Sequence, residues 1–148
     1  MRRLVLSVLI LGFSVAMAWA AGKDTPAAAA TRKRLKDKDI KIALEIKMDF
    51  FKTALEEITS QVDDAGKGKI AWKYDTGVSM NSRITVKCKD KTVEEALDEI
   101  CKQLDIGYVV ESKAKDRYDG WVVFKKNAKL RGYDEGEEPK DKEKPKDK

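Results

Sequence analysis

A chain of 148 residues, 39% of them charged and with a net charge of +5, has room for one domain plus extensions and far exceeds the ~25% charge of an average globular chain. It contains no histidine, which removes the commonest general base and zinc ligand and, with them, most familiar hydrolase mechanisms. Two cysteines, Cys88 and Cys101, are too few for a four-thiolate site, so no metal or other cofactor is expected and the pair is left to one disulfide or two buried thiols.

Residues 1–20 have the pattern of an export signal: Arg2 and Arg3, an apolar run from Leu4 to Val15, then the small-x-small sequence Ala18-Trp19-Ala20 that signal peptidase accepts. The alternative is an uncleaved inner-membrane anchor, although Leu4 to Ala20 is 17 residues where a span needs about 20. Removing Arg2 and Arg3 with the segment leaves 29 positive against 26 negative side chains, too slight an excess to argue for nucleic acid. Export would place both cysteines where a disulfide can persist. Residues 21–38 hold Pro26, the run Ala27 to Ala30 and the cations Arg32, Lys33, Arg34, Lys36 and Lys38. They read as a basic, Ala-rich linker with capacity for peripheral contact with anionic lipid or polymer through Arg32, Lys33 and Arg34.

From Ile40 the apolar residues alternate through Ile42, Leu44, Ile46 and Met48, the period of a strand with one buried face. Phe51, Ala54, Leu55, Ile58 and Val62 then fall on one face of a helix, with Asp49 or its neighbour as the N-cap. A second strand carries Ile70, Trp72 and Tyr74 after the Gly66-Lys67-Gly68 break. The plan then repeats. Ile84, Val86 and Cys88 alternate, and Val93, Ala96, Leu97, Ile100, Cys101 and Leu104 line a helix opened by the capping box Thr92-Glu95. Gly107 marks the end of that helix, and Tyr108 to Val110 and Trp121 to Phe124 follow as strands around the long loop Ser112 to Gly120. At an offset of 42 residues, Ala54-Leu55-Glu56-Glu57-Ile58 superposes on Ala96-Leu97-Asp98-Glu99-Ile100, Gln61 falls on Gln103, and the preceding strands stay in register. The expected fold is α+β, built from duplicated β-α-β units (βαβ-βαββ) with two helices packed between two small sheets. Its limits are set at 39–127, a stretch expected to fold alone, with 128–148 as a disordered charged tail that lacks apolar periodicity.

The run Ile84 to Cys88, the helix Thr92 to Ile100 and the segment Leu104 to Val110, with Leu44-Glu45-Ile46 and Phe50 to Ile58 as their first copy, resemble the secretin and TonB short N-terminal (STN) domain. The resemblance implies two helices between a two-stranded and a three-stranded sheet, a periplasmic location, and service as a protein-binding and signalling module.

The carboxylate pairs Glu56-Glu57 and Asp98-Glu99 point about 100° apart on their helices, opposite the apolar stripe, and read as solvated faces. Trp72 and Tyr74 share a strand face with Ile70 and read as core. With no phosphate loop, nucleophile and base, or ligand cluster, the expected function is non-enzymatic: an exported envelope adaptor that binds another protein, associated with a secretion or outer-membrane complex. The alternative is a binder of an anionic envelope polymer or lipid surface, using the basic linker and Lys87, Lys89 and Lys91. The strand Trp121 to Phe124, apolar on both faces, is read as a protein-binding edge, flanked by Arg117, Tyr118 and Trp121.

Overall fold

Two strand-helix pairs separated by 42 residues should pack alike, and the computed structural model, which describes residues 24–133, bears this out. The elements run α1 (Pro26–Leu35), β1 (Ile42–Phe50), α2 (Phe51–Asp64), β2 (Trp72–Tyr74), β3 (Arg83–Lys91), α3 (Val93–Leu104), β4 (Gly107–Val110), β5 (Val122–Lys125) and β6 (Arg131–Gly132). β1 and β3 form one antiparallel sheet, and the second sheet has the order β2-β5-β4-β6. The fold is α+β, as the alternation of periods predicts. Phe51, at the start of α2, meets Phe124 of β5 at 4.9 Å and Tyr74 of β2 at 5.7 Å, both edge-on. The stripes of α2 and α3 and the inner faces of both sheets thereby share one core.

The duplication extends to details that packing alone would not require. Gln61 of α2 donates to the backbone oxygen of Ala43 (2.7 Å) and accepts from its amide (2.9 Å). Gln103 of α3, 42 residues on, does the same to Thr85 at 2.7 and 3.1 Å. Each glutamine fills the outward-facing backbone groups of one residue at the open edge of its own strand, where another chain could otherwise add. Met48 (φ 53°) and Asp90 (φ 56°), also 42 apart, both take left-handed conformations. The first lies in the register irregularity between Ile46 and Asp49, which turns Met48 out to 63% exposure although simple alternation predicts it inside. The pairing of β1 with β3 is symmetric under the repeat: Leu44 faces Cys88 and Ile46 faces Val86, while Glu45 faces its own equivalent, Lys87. Gln61→Ala and Gln103→Ala are each expected to cost about 1 kcal/mol, and nearly additively because the clamps are separate. Urea unfolding of the two single variants and the double variant measures this.

The helix starts differ. Thr92 caps α3 with the expected capping box. Phe50 occupies the equivalent place in α2 without a side-chain cap, and the amides of Phe51 and Lys52 bond instead to the carbonyls of Ser82 (2.8 Å) and Met80 (3.0 Å). Of the two positions expected for the cap, Asp49 or its neighbour, the neighbour Phe50 takes it, and Asp49 accepts from the Phe50 amide. Nor does Gly107 end α3, which closes on left-handed Asp105. Gly107 begins β4, where an added Cβ would stand 2.1 Å from the Asn127 oxygen.

Both expected boundaries lie too far inward. Part of the 21–38 segment read as a linker is helix α1, opened by Thr25 as N-cap and Pro26. It buries Ala28, Thr31, Arg32 and Leu35, spaced i, i+3, i+4 and i+7. Residues 128–133, assigned to the tail, also fold. Leu130 is buried with Val109 and Val123 on the outer face of the larger sheet, and β6 pairs in parallel with β4. Arg32 joins the two ends, donating to the carbonyls of Gly132 and Val110, pairing with Asp24 at 2.9 Å and lying 3.9 Å from the Tyr133 ring centroid. The expected signal at 1–20 and the remainder of the tail lie outside the described residues.

Candidate functional site

β2 is a three-residue edge strand whose parallel pairing with β5 sets which of its backbone groups are used. The Ala71 oxygen accepts from Val122 and the Asp75 amide donates to Phe124. Because parallel strands alternate the direction of their backbone groups, Trp72 and Tyr74 turn theirs to the open side. Their rings pack inward, stacked on Phe124 at 5.9 Å each, and the Trp72 indole donates to Thr59 Oγ1 at 2.7 Å. Both are half-buried, packed against the core with one side and left at the groove with the other, so the core reading of the two holds in part. Desolvation raises the Tyr74 phenol above its usual range. Lys73, between them, turns to the outer face shared with Val123.

The loop 112–120 stands beside this edge and is held by its own bonds. The Gly120 amide donates to Glu111 and the Trp121 amide to Tyr118. The Tyr118 amide donates to Asp116 Oδ1 at 2.8 Å, and Asp119 Oδ1 accepts both the Lys113 amide and the Thr25 hydroxyl. Helix α1 backs the loop, with Thr31 donating to the Gly120 oxygen at 2.7 Å. Gly120, at φ 80°, leaves no room for a Cβ, which would lie 2.9 Å from that of Ala27. Arg117 and Tyr118 are therefore presented on a braced loop.

Together these parts enclose a groove of about 540 Å³ lined by Trp72, Lys73, Tyr74, Arg117, Tyr118 and Trp121. Tyr118 meets Trp121 edge-on at 5.1 Å. The Lys73 ammonium lies 4.0 Å and the Arg117 guanidinium 4.3 Å from the centroid of the Tyr118 ring, and Arg117 also donates to its hydroxyl. The three residues named from sequence do converge, but beside a different edge. β5 is covered by β2 on one side and β4 on the other, so Trp121 to Phe124 is not the open strand; β2 is. Local periodicity cannot reveal that a strand fifty residues earlier returns in parallel to cover it.

Of the cations assigned to an anionic surface, Arg32 is buried and committed to Asp24 and two carbonyls, while Lys33 is exposed. Lys87 faces Glu45 at 3.7 Å and Lys91 faces Glu99 at 3.7 Å.

Cys88 and Cys101 are free and buried, not bridged. Asp98, grouped from sequence with the solvated carboxylates, is half-buried against Arg131 at 2.8 Å, and desolvation raises its carboxyl despite that cation. It stands near Tyr108, whose hydroxyl is buried without a hydrogen-bond partner. Burial pushes the Tyr108 phenol upward, with Asp98 adding to the shift. Burial likewise pushes the Cys101 thiol from 9.0 up to about 12. The unfolded chain gives up that proton near pH 9 and the folded chain holds it to about 12, so this contribution is intact below pH 9 and is lost as pH rises through the window. The slope is about 1.4 kcal/mol per pH unit. Cys101→Ala is expected to flatten the fall in urea midpoint between pH 9 and 12, leaving the shares of Tyr108, Tyr74 and Cys88, which burial also raises.

Among the described residues, no group of three or more Cys, Asp or Glu side chains is placed to hold a metal ion, and no helix is long and apolar enough to cross a membrane. No protein-family model, curated protein or solved structure matches this chain.

Proposed function

We propose that this chain is a non-enzymatic, exported envelope adaptor of the secretin and TonB short N-terminal kind, which binds another protein by accepting a strand on β2. The carrying observation is the contrast among its strand edges. Gln61 and Gln103 each fill the backbone groups of one outward-facing residue, Ala43 and Thr85, at the open edges of β1 and β3. Among the described residues nothing fills the outward backbone groups of Trp72 and Tyr74, which open beside the groove under Tyr118. Main-chain bonds along such an edge supply affinity, and the adjoining pocket selects side chains. Arg and Tyr, both enriched at binding hot spots, stand beside it on a loop that needs little further ordering, which lowers the cost of binding. The export part of the reading is supported by the pattern of residues 1–20. The alternative of an anionic polymer or lipid surface has less behind it, because Arg32 is buried and Lys87 and Lys91 already face carboxylates.

A photo-crosslinking residue placed at Lys73 in the full chain, compared with one at Ala43 on the clamped β1 edge, tests the proposal in cells. The expected result is a discrete envelope-protein adduct from position 73, absent from position 43 and lost in Tyr118→Ala. Equal adducts from both positions, or none from 73, would sink it.

A further inference from the structure

The groove beside β2 holds two cations and no anion. Lys73 and Arg117 both approach the ring of Tyr118, at 4.0 and 4.3 Å from its centroid. Among the described residues neither is placed in an ion pair, and no carboxylate lines the groove. Two like charges gathered on one aromatic ring repel each other, and a carboxylate set between them would relieve that repulsion while gaining charge-assisted hydrogen bonds from both. The strand geometry says where such a carboxylate would come from. A residue directly opposite Lys73 on an added strand shares its sheet face, with Cβ atoms ~5 Å apart. Its neighbours on either side would bond to the outward backbone groups of Trp72 and Tyr74.

Resting on the strand-edge reading above, we infer that the partner presents an extended peptide segment with an aspartate or glutamate opposite Lys73, its carboxylate lodged between Lys73 and Arg117. Selectivity then comes from charge and edge together. A strand carrying a cation at that position would place a third positive charge on the same ring, and one carrying an apolar residue would leave both cations uncompensated.

The test uses a phage-displayed library of nine-residue peptides selected on the full chain, with amide hydrogen exchange locating where they bind. Enriched peptides are expected to carry one Asp or Glu between β-forming residues and to slow exchange at the Trp72 and Tyr74 amides. Changing that Glu to Gln in a synthetic peptide should weaken binding by about threefold to tenfold. In Lys73→Gln the difference between the two peptides should shrink toward unity, and Lys73→Glu, if it melts as the wild type does, should reverse the preference toward Lys-bearing peptides. Peptides that protect Trp72 and Tyr74 without acidic enrichment would overturn this inference and leave the strand-edge reading standing. A selection that yields nothing protecting those amides would overturn both.

Discussion

Replacing Gly107 by alanine is expected to cost at least about 3 kcal/mol, enough to unfold much of the population of a domain of ordinary stability. The new Cβ would lie 2.1 Å from the Asn127 oxygen, 2.7 Å from the Leu130 oxygen and 2.9 Å from the Leu130 Cβ. Two of those three are backbone atoms of the turn that returns the chain to β6, so relief requires the turn to lift. Lifting it would break the Tyr108 amide bond to the Leu130 carbonyl and expose Leu130, which covers Val109 and Val123. Gly66→Ala is the internal control. Its added Cβ meets nothing within 4 Å, and the only strain is the left-handed backbone at φ 71°, worth ~1–2 kcal/mol. Thermal or urea melts of both variants decide the matter, and a Gly107→Ala protein as stable as Gly66→Ala would mean that the turn yields freely.

Cutting the chain to 39–127 is expected to abolish cooperative folding, in contrast to the expectation drawn from periodicity alone, whereas 24–133 should fold. The cut removes the buried side chains Leu35 and Leu130, each worth ~1.5–3 kcal/mol. It also removes Arg32 and its bonds to the carbonyls of Gly132 and Val110, where hydrogen bonds from a charged group contribute ~1.5–3 kcal/mol. Together these approach the ~5–15 kcal/mol that holds a whole domain. Arg32→Ala in the full chain isolates the clasp, with an expected loss of about 2–4 kcal/mol. Circular dichroism melts of the two fragments and this variant test the pair of statements. A 39–127 fragment with a sharp transition near that of 24–133 would show that the terminal elements are ornamental.

What could be read in the residues followed how each element signals itself. The β1-α2 and β3-α3 units carry full apolar stripes, and the match of Gln61 to Gln103 across 42 positions was visible even though its purpose, clamping Ala43 and Thr85, was not. Helix α1 escaped because its buried stripe is Ala28, Thr31, Arg32 and Leu35, only one of them a large apolar residue, and because arginine is rarely buried unless paired. Its real signal was local: Thr25 before Pro26, an N-cap followed by proline in the first turn. β6 escaped because two residues have no period and Leu130 is a single apolar residue among charges. At the candidate site, Arg117, Tyr118 and Trp121 were legible as a loop cluster. Lys73 was not, since its meaning depends on a parallel pairing between β2 and β5 that only the folded chain displays.

The symmetry of the β1-β3 ladder has a consequence for how the two halves recognise each other. Glu45 and Lys87 occupy equivalent positions in the repeat and stand opposite each other at its centre, with the Lys87 ammonium 3.7 Å from the Glu45 carboxylate. Were either half to dimerise with its own copy through the same ladder, that central pair would become glutamate against glutamate or lysine against lysine, and like charges directly opposite are destabilising. The central pair is thus complementary between the two halves and not within copies of either one. Pairing of a half with its own copy is disfavoured by this charge pattern, whereas exchange of the same half between two molecules would keep glutamate opposite lysine.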